Sequence, residues 1–395
     1  YGDAKPKDAF AATFSGFAGN EDESLISGKD QLSYTLRKTG ESSSSSDQAY
    51  SGQTGAGNYN IIPDVSKLSA DNYKFESDNS GIMTVSKRPV TLTGKGAVTK
   101  TYDGNNRADI TKDNYHFGNL VNGDVLELHS WNSTFDDKNA GEGKTVTVKD
   151  ATIDSDNYVL PEDQSTFTLT NCTINKRTLT ITANNTEITY GAESNPQYSA
   201  EFKGFAEGES QLGGSDLTMS GSGVTGSGQS SAVSPVFSCK YDCKDPENRD
   251  AGTYEITAGG LSSNNYQITY IPGTLTVSKK ELTLKPVTKQ DSYTYGSQFV
   301  PENELTCSTS GLAYGDTAEK AFSAKLTYSV NGLGTTADNN ISSPAGNYTV
   351  NMTVSDFSSK NYTETPETGT VIVNKKSLTI SGFSVADRVY DGTAE

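Results

Sequence analysis

The sequence predicts an all-β chain of repeated small modules, and three observations predict it. Thr, Ser, Tyr, Val and 38 Gly are abundant while strong helix formers are sparse, a composition that favours strands and turns. No stretch sustains the 3.6-residue apolar periodicity of a helix. Third, a change of apolar face recurs across a basic pair. Val85 hands over to Val90 across Lys87-Arg88, and Ile174 to Leu179 across Lys176-Arg177. Val277 hands over to Leu282 across Lys279-Lys280, and Val373 to Leu378 across Lys375-Lys376. Every offset is five (for example 179 − 174). Strand side chains alternate faces with period two, so an odd offset moves the apolar side to the opposite face. One core is therefore expected to end at each pair and another to begin.

The basic pairs are spaced 89 (176 − 87), 103 (279 − 176) and 96 (375 − 279) residues apart, a domain-sized period. Other markers keep step with it. Ala-Gly occurs at 56–57, 140–141, 251–252 and 345–346, and Asn-Tyr at 72–73, 157–158, 265–266 and 361–362. Tyr-Gly stands near the start of three units (Tyr1, Tyr190, Tyr295), and Tyr-Asp-Gly replaces it at Tyr102 and Tyr390. The expected modules are 1–88 (without its first strand), 89–176, 177–280 and 281–376, with a further copy beginning at 377–395. Short strands between Gly, Asn, Asp and Ser clusters fit small antiparallel β-sandwiches, Ig-like in outline and joined end to end. A β-grasp module with a short helix near Glu207–Leu212 is the alternative.

A net charge of −17 and a pI near 4.6 argue against nucleic acid, whose phosphates need clustered cations, and against anionic lipid. No apolar run is long enough to span a membrane. Of the four cysteines, Cys239 and Cys243 are close enough in sequence for a local disulfide, and pairing across flanking strands is open too. Cys172 and Cys307 read as small buried apolar groups. His116 and His129 lie far from the C-x₃-C, so zinc is not expected.

Catalytic signatures are absent. The single G-x-G-x-x-G, at Gly221, Gly223 and Gly226, sits in a Gly/Ser loop rather than opening a helix. A repeated unit that shares only turn and core residues is not expected to be an enzyme or to hold a cofactor. Calcium is the one inorganic partner for which ligands exist, at Asp136-Asp137 and at Asp154–Asn157. The repeated tyrosines are expected to bury their rings and tie their hydroxyls to backbone. The basic pairs are expected on the solvent side of each junction.

The pattern Tyr190-Gly191, Gly204-Phe205, Gly208-Glu209, Ala251-Gly252-Thr253-Tyr254, Asn265-Tyr266 and Gly273–Val277 resembles the MBG ("mostly beta, glycine-rich") repeats of bacterial surface proteins. Units one and four match it more loosely. Unit two, with Tyr102-Asp103-Gly104, Val121–Asp124, Lys138–Gly141 and Asn157-Tyr158, resembles the companion YDG repeat. The resemblance implies an extracellular segment of an adhesin or haemagglutinin-like exoprotein. It implies a stalk that projects a distal binding domain, its partners being neighbouring repeats of the same chain. The second reading is a module that itself binds a host glycan, immunoglobulin or other host surface protein. No catalytic residues carry over.

Overall fold

The structure, a computed structural model, describes residues 1–5, 10–42, 47–219, 233–387, 389–390 and 392. Nearly all its regular structure is strand. Among the described residues the α-helices are single turns of four residues, Pro301–Glu304 and Ala318–Ala321. Residues 207–212 form turns, not the helix of a β-grasp module. The ladders fall into four sets that share no strand, within 33–85, 88–175, 177–278 and 280–374.

Unit three shows the plan. Its opening strand Arg177–Ala183 pairs antiparallel with Ala200–Lys203 and parallel with Tyr266–Ile271. In a second sheet, Thr186–Thr189 runs parallel to Gly273–Ser278, which pairs antiparallel with Gly252–Gly259 and through it with Val236–Cys239. Leu179 and Ile181 on the opening strand are fully buried, as are Ile256 and Leu275 on the other sheet. The alternating Thr residues between them face outward, as a period of two requires.

Unit four repeats the arrangement. Lys280–Thr288 lies between Leu305–Ser310 (antiparallel) and Tyr362–Pro366 (parallel), and Tyr293–Thr294 runs parallel to Gly369–Asn374. In unit two the opening segment is divided. Arg88–Pro89 pairs parallel with Tyr158–Val159, and Thr91–Gly94 antiparallel with Tyr115–Gly118. Unit one has one antiparallel sheet of Ser33–Lys38, Gly57–Asp64 and Ile82–Val85.

The all-β expectation holds, but the sheets are mixed rather than purely antiparallel. Strands from opposite ends of a unit run side by side in the same direction. Such pairs need a long crossover instead of a hairpin, so no local turn marks them in the sequence.

The handover between cores differs from expectation too. Ile174 and Leu179 belong to one continuous apolar cluster, which Tyr102, Ala206 and Tyr266 also join. Val277 and Leu282 share a second, with Tyr190, Ala313 and Tyr362. Only Val85 and Val90 sit in separate clusters. At the last pair Val373 is buried and Leu378 is 90% exposed. At the two middle pairs bridging aromatic residues make the neighbouring cores continuous. The units are nonetheless not gathered around one centre. The chain exposes 24,670 Å², against about 15,000 Å² expected of a compact monomer of this mass.

Candidate functional site: the junction between units

The sequence markers converge on the junctions. Each marker residue is carried there by a fixed strand end. At the first three basic pairs the first lysine donates to a carbonyl just upstream of the next unit's Asn-Tyr. Lys87 Nζ reaches Ser155 O at 2.6 Å, Lys176 reaches Ser263 O at 3.0 Å and Lys279 reaches Ser359 O at 2.7 Å. The asparagine of Asn-Tyr accepts from the alanine N–H of the preceding unit's Ala-Gly. Ala56 N to Asn157 Oδ1 is 2.9 Å, Ala140 N to Asn265 Oδ1 2.9 Å and Ala251 N to Asn361 Oδ1 2.8 Å.

The tyrosines complete the joint. The Tyr-Gly or Tyr-Asp-Gly ring of one unit meets the Asn-Tyr ring of the next edge to face. Centroids are 5.4 Å apart for Tyr1 and Tyr158, 5.5 Å for Tyr102 and Tyr266, and 5.3 Å for Tyr190 and Tyr362. Such pairs contribute about 0.5–1.5 kcal/mol beyond their burial. Both hydroxyls donate to one carboxylate of the later unit. Tyr1 and Tyr158 donate to Asp124 at 2.7 and 2.6 Å. Tyr102 and Tyr266 donate to Glu209 at 2.6 and 2.5 Å. Tyr190 and Tyr362 donate to Asp316 at 3.1 and 2.7 Å.

The Asn-Tyr hydroxyl also accepts from a backbone N–H three residues before the carboxylate: Val121 at 2.8 Å, Ala206 at 2.8 Å and Ala313 at 2.9 Å. Each of these hydroxyls therefore both donates and accepts, so its own buried oxygen is matched. The glycine after the tyrosine allows this approach. A Cβ on Gly191, whose φ is +95°, would stand 2.7 Å from the Ala313 side chain.

Electrostatics follow from this geometry. Burial and then the Asp316 carboxylate push the Tyr190 hydroxyl up to about 12. The hydrogen bond to Asp124, followed by burial, takes Tyr1 to about 12. Burial first, with the shared carboxylate reinforcing it, also raises Tyr102, Tyr266 and Tyr362. Asp124 is lowered by the hydroxyls of Tyr158 and Tyr1. At the first joint the tyrosine hydroxyls thus hold Asp124 as a carboxylate that accepts from two phenols, a charge-assisted arrangement stronger than a neutral hydrogen bond.

A second set of tyrosines behaves as expected, with hydroxyls on backbone. Tyr59 donates to Gly55 O at 2.8 Å, Tyr254 to Asp250 O at 2.9 Å and Tyr348 to Pro344 O at 2.5 Å. For the Asn-Tyr set the expectation was incomplete, because the acceptor is a carboxylate. Asp124, Glu209 and Asp316 were visible only as recurring motif residues with no assigned role. Their signal is a carboxylate at the same place in each unit, in Asn-Gly-Asp, Gly-Glu or Gly-Asp.

The remaining candidates are dispersed. Cys239, half-buried, lies on Val236–Cys239, and buried Cys243 lies in the turn beyond it. Both pack in the cluster shared by units three and four as free thiols. Cys172 and Ile174 are buried together, whereas Cys307 is half-buried. Asp136 and Asp137 grip the buried Lys144 at 3.3 and 2.9 Å, while Asp154 and Asp156 are exposed. Gly221, Gly223 and Gly226 lie outside the described residues. At the joint of units three and four an open polar groove of about 540 Å³ is lined by Arg249, Asp250, Asp316, Lys320 and Lys360, among others.

Residues 86–166 match the YDG domain, and residues 179–276 match the MBG domain (YGX type), in tandem. No curated protein matches the chain. Among solved structures, similarity extends to Drosophila N-cadherin EC1-4, at 11% identity over 95% of this chain and 96% of that one, TM-score 0.21. The human desmocollin-1 ectodomain is 10% identical over 87% of this chain and 74% of that one, TM-score 0.21. The N-terminal part of the bacterial S-layer protein SbsC is 12% identical over 51% and 44%, TM-score 0.14. Superpositions this loose carry no argument.

Proposed function

We propose that this tandem of YDG and MBG domains is a stiff spacer in an extracellular protein of a bacterial surface, holding a binding domain away from the cell. The observation that supports it is the repeated joint of two tyrosines on one carboxylate. Three successive junctions use the same contacts, and the basic pair leaves no linker to bend. An array whose every joint is specified by side chains propagates one geometry from unit to unit. No step of bond making is needed, and YDG and MBG repeats are not enzyme families.

Small-angle scattering tests the proposal. A radius of gyration well above the roughly 21 Å of a compact chain of this length, retained as salt is raised, is the expected result. A value near the compact one defeats the spacer reading.

The second reading, direct binding of a host glycan or host protein, is favoured by the polar groove at the joint of units three and four. A screen of host glycans and proteins against the whole chain addresses it. Saturable binding that Arg249→Ala or Lys320→Ala abolishes would establish that reading.

A further inference from the structure

The joint of units three and four differs from the other two in the charges it leaves unpaired. Two residues before its Ala-Gly stands Arg249, where unit two has Lys138 and unit one has Thr54. Lys138 lies 3.8 Å from the joint carboxylate Glu209. Arg249 makes no ion pair and donates no hydrogen bond among the described residues. Its guanidinium carbon instead lies over the Tyr314 ring, 4.2 Å from the centroid.

That ring is itself fixed. The Tyr314 hydroxyl donates to Ala192 O at 2.7 Å, and the ring meets Tyr190 edge to face at 5.1 Å. Tyr314 holds a left-handed backbone, φ +53°, which a bulky side chain seldom adopts. A planar guanidinium laid on an aromatic face keeps its N–H edge free and already oriented.

Arg249 lines the groove of about 540 Å³ at this joint, within the roughly 300–1,000 Å³ of small-ligand sites. Two of the groove's carboxylates are occupied. Asp250 accepts from Lys360 and Asn361, and Asp316 from Tyr190 and Tyr362. Glu319 and Lys320 are exposed and have no side-chain partner among the described residues. They are adjacent on the helical turn Ala318–Ala321, and adjacent helical residues do not face each other. The unpaired charges are therefore two cations, one from each unit, and one carboxylate. Ser323 and Ser358, opposed across a ladder, add two hydroxyls at the rim. Phe322, stacked on Phe357 at 5.2 Å, supplies an apolar wall.

We infer that this groove binds a sugar that carries a carboxylate. The inference rests on the direct-binding reading above and names its ligand class. Arg249 takes both carboxylate oxygens in its fork, and Lys320 adds the second positive charge. Ring hydroxyls donate to Glu319 and bond to Ser323 and Ser358, while Phe322 meets the C–H face of the ring. One ligand thus gives every unpaired group a partner. An acidic peptide would bring further carboxylates against Glu319 and Asp316 and no hydroxyls for the serines. Because Arg249 and Lys320 belong to different units, the bound sugar bridges the joint.

Titration calorimetry of the full chain tests this. Sialyllactose carries its carboxylate on a terminal sugar, and trigalacturonate carries carboxylates along its length. Binding of either at one site per chain, weakening as salt is raised, is the expected result, and the probe that binds identifies where the acid sits. Lactose and the methyl ester of that probe should not bind. Arg249→Lys keeps the charge but loses the fork and should weaken binding about 10- to 100-fold. Lys320→Ala removes an exposed side chain, so the fold is kept, and should weaken it about 10-fold. The amides of residues 247–251 and 318–323 should both gain protection from hydrogen exchange when the probe is bound. Failure of both acidic probes, equal binding of the methyl ester, or tighter binding of tetraglutamate overturns the inference. So does binding that both variants leave unchanged, or protection confined to one unit. A neutral glycan or host protein that needs Arg249 would overturn it while upholding the direct-binding reading. If no glycan and no host protein binds the chain, both fail.

Discussion

Tyr102 of unit two and Tyr266 of unit three stand edge to face, ring centroids 5.5 Å apart, with both hydroxyls on Glu209. The Glu209 side chain is 5% exposed, and Lys138 of unit two lies 3.8 Å from it. A buried carboxylate is tolerable when charge-assisted donors satisfy it. Here one donor comes from each side of the joint, so the carboxylate is content only while the two units stay together.

Glu209→Ala should therefore leave two buried phenol hydroxyls without their acceptor. A loss of about 1–3 kcal/mol is expected, measured by urea unfolding, together with a broader distance distribution in scattering. Tyr102→Phe combined with Glu209→Ala should cost less than the sum of the single changes. Strict additivity would show that the two groups do not act as a pair.

Alkali should open the joints. Tyr190 and Tyr1 have folded values near 12, above the ordinary 10.0 of tyrosine. A group whose folded value is raised supplies stability that is complete below its unfolded value and is lost as pH rises through the folded one. The loss is expected between about pH 10 and 12. Phenolate absorbance at 295 nm and scattering, followed together, report it. Ionisation of these tyrosines with no change in particle dimensions would contradict the role assigned to them.

Ile174→Ala and Leu179→Ala should each cost about 2–5 kcal/mol, since both side chains are fully buried and leave a cavity. Because they share one cluster, each should loosen amides in both unit two and unit three. Hydrogen exchange resolved by segment decides the point. Loosening confined to a single unit would mean that the cores fold independently despite their contact.

Cys239 and Cys243 lie within one cluster and are proposed to pair under oxidising conditions. Alkylation of the native protein followed by mass spectrometry should then find that pair blocked. Buried Cys172 should label only after unfolding. Rapid labelling of all four would reject both expectations.

Much of this was legible in the sequence. The alternation Leu179-Thr180-Ile181 gave the opening strand, and the recurrence of Ala-Gly, Asn-Tyr and the basic pair gave the repeat. What those markers do was not legible. Asn265 reaches back to Ala140 and Tyr266 to the ring of Tyr102, across separations that no periodicity encodes. Glu209 was hidden among 49 acidic residues, distinguished only by its place in the repeat. The parallel pairing of Arg177–Thr182 with Tyr266–Ile271 was missed because parallel strands have no turn between them to read. The continuity of the cores was missed because face alternation says which way a side chain points and nothing about what bridges the gap.

That parallel pairing decides how a unit responds to being pulled. In unit three the entering strand is bonded to Tyr266–Ile271, and the departing strand Gly273–Ser278 is bonded to Thr186–Thr189, both in the same direction. Tension applied at Arg177 and Ser278 drags these partners lengthwise past each other. The load is then shared by all the bonds of a ladder at once, whereas a hairpin pulled at its open end peels one bond at a time. Single-molecule stretching of units three and four should show a high rupture force for each before it lengthens. A tether built this way would hold its length under flow.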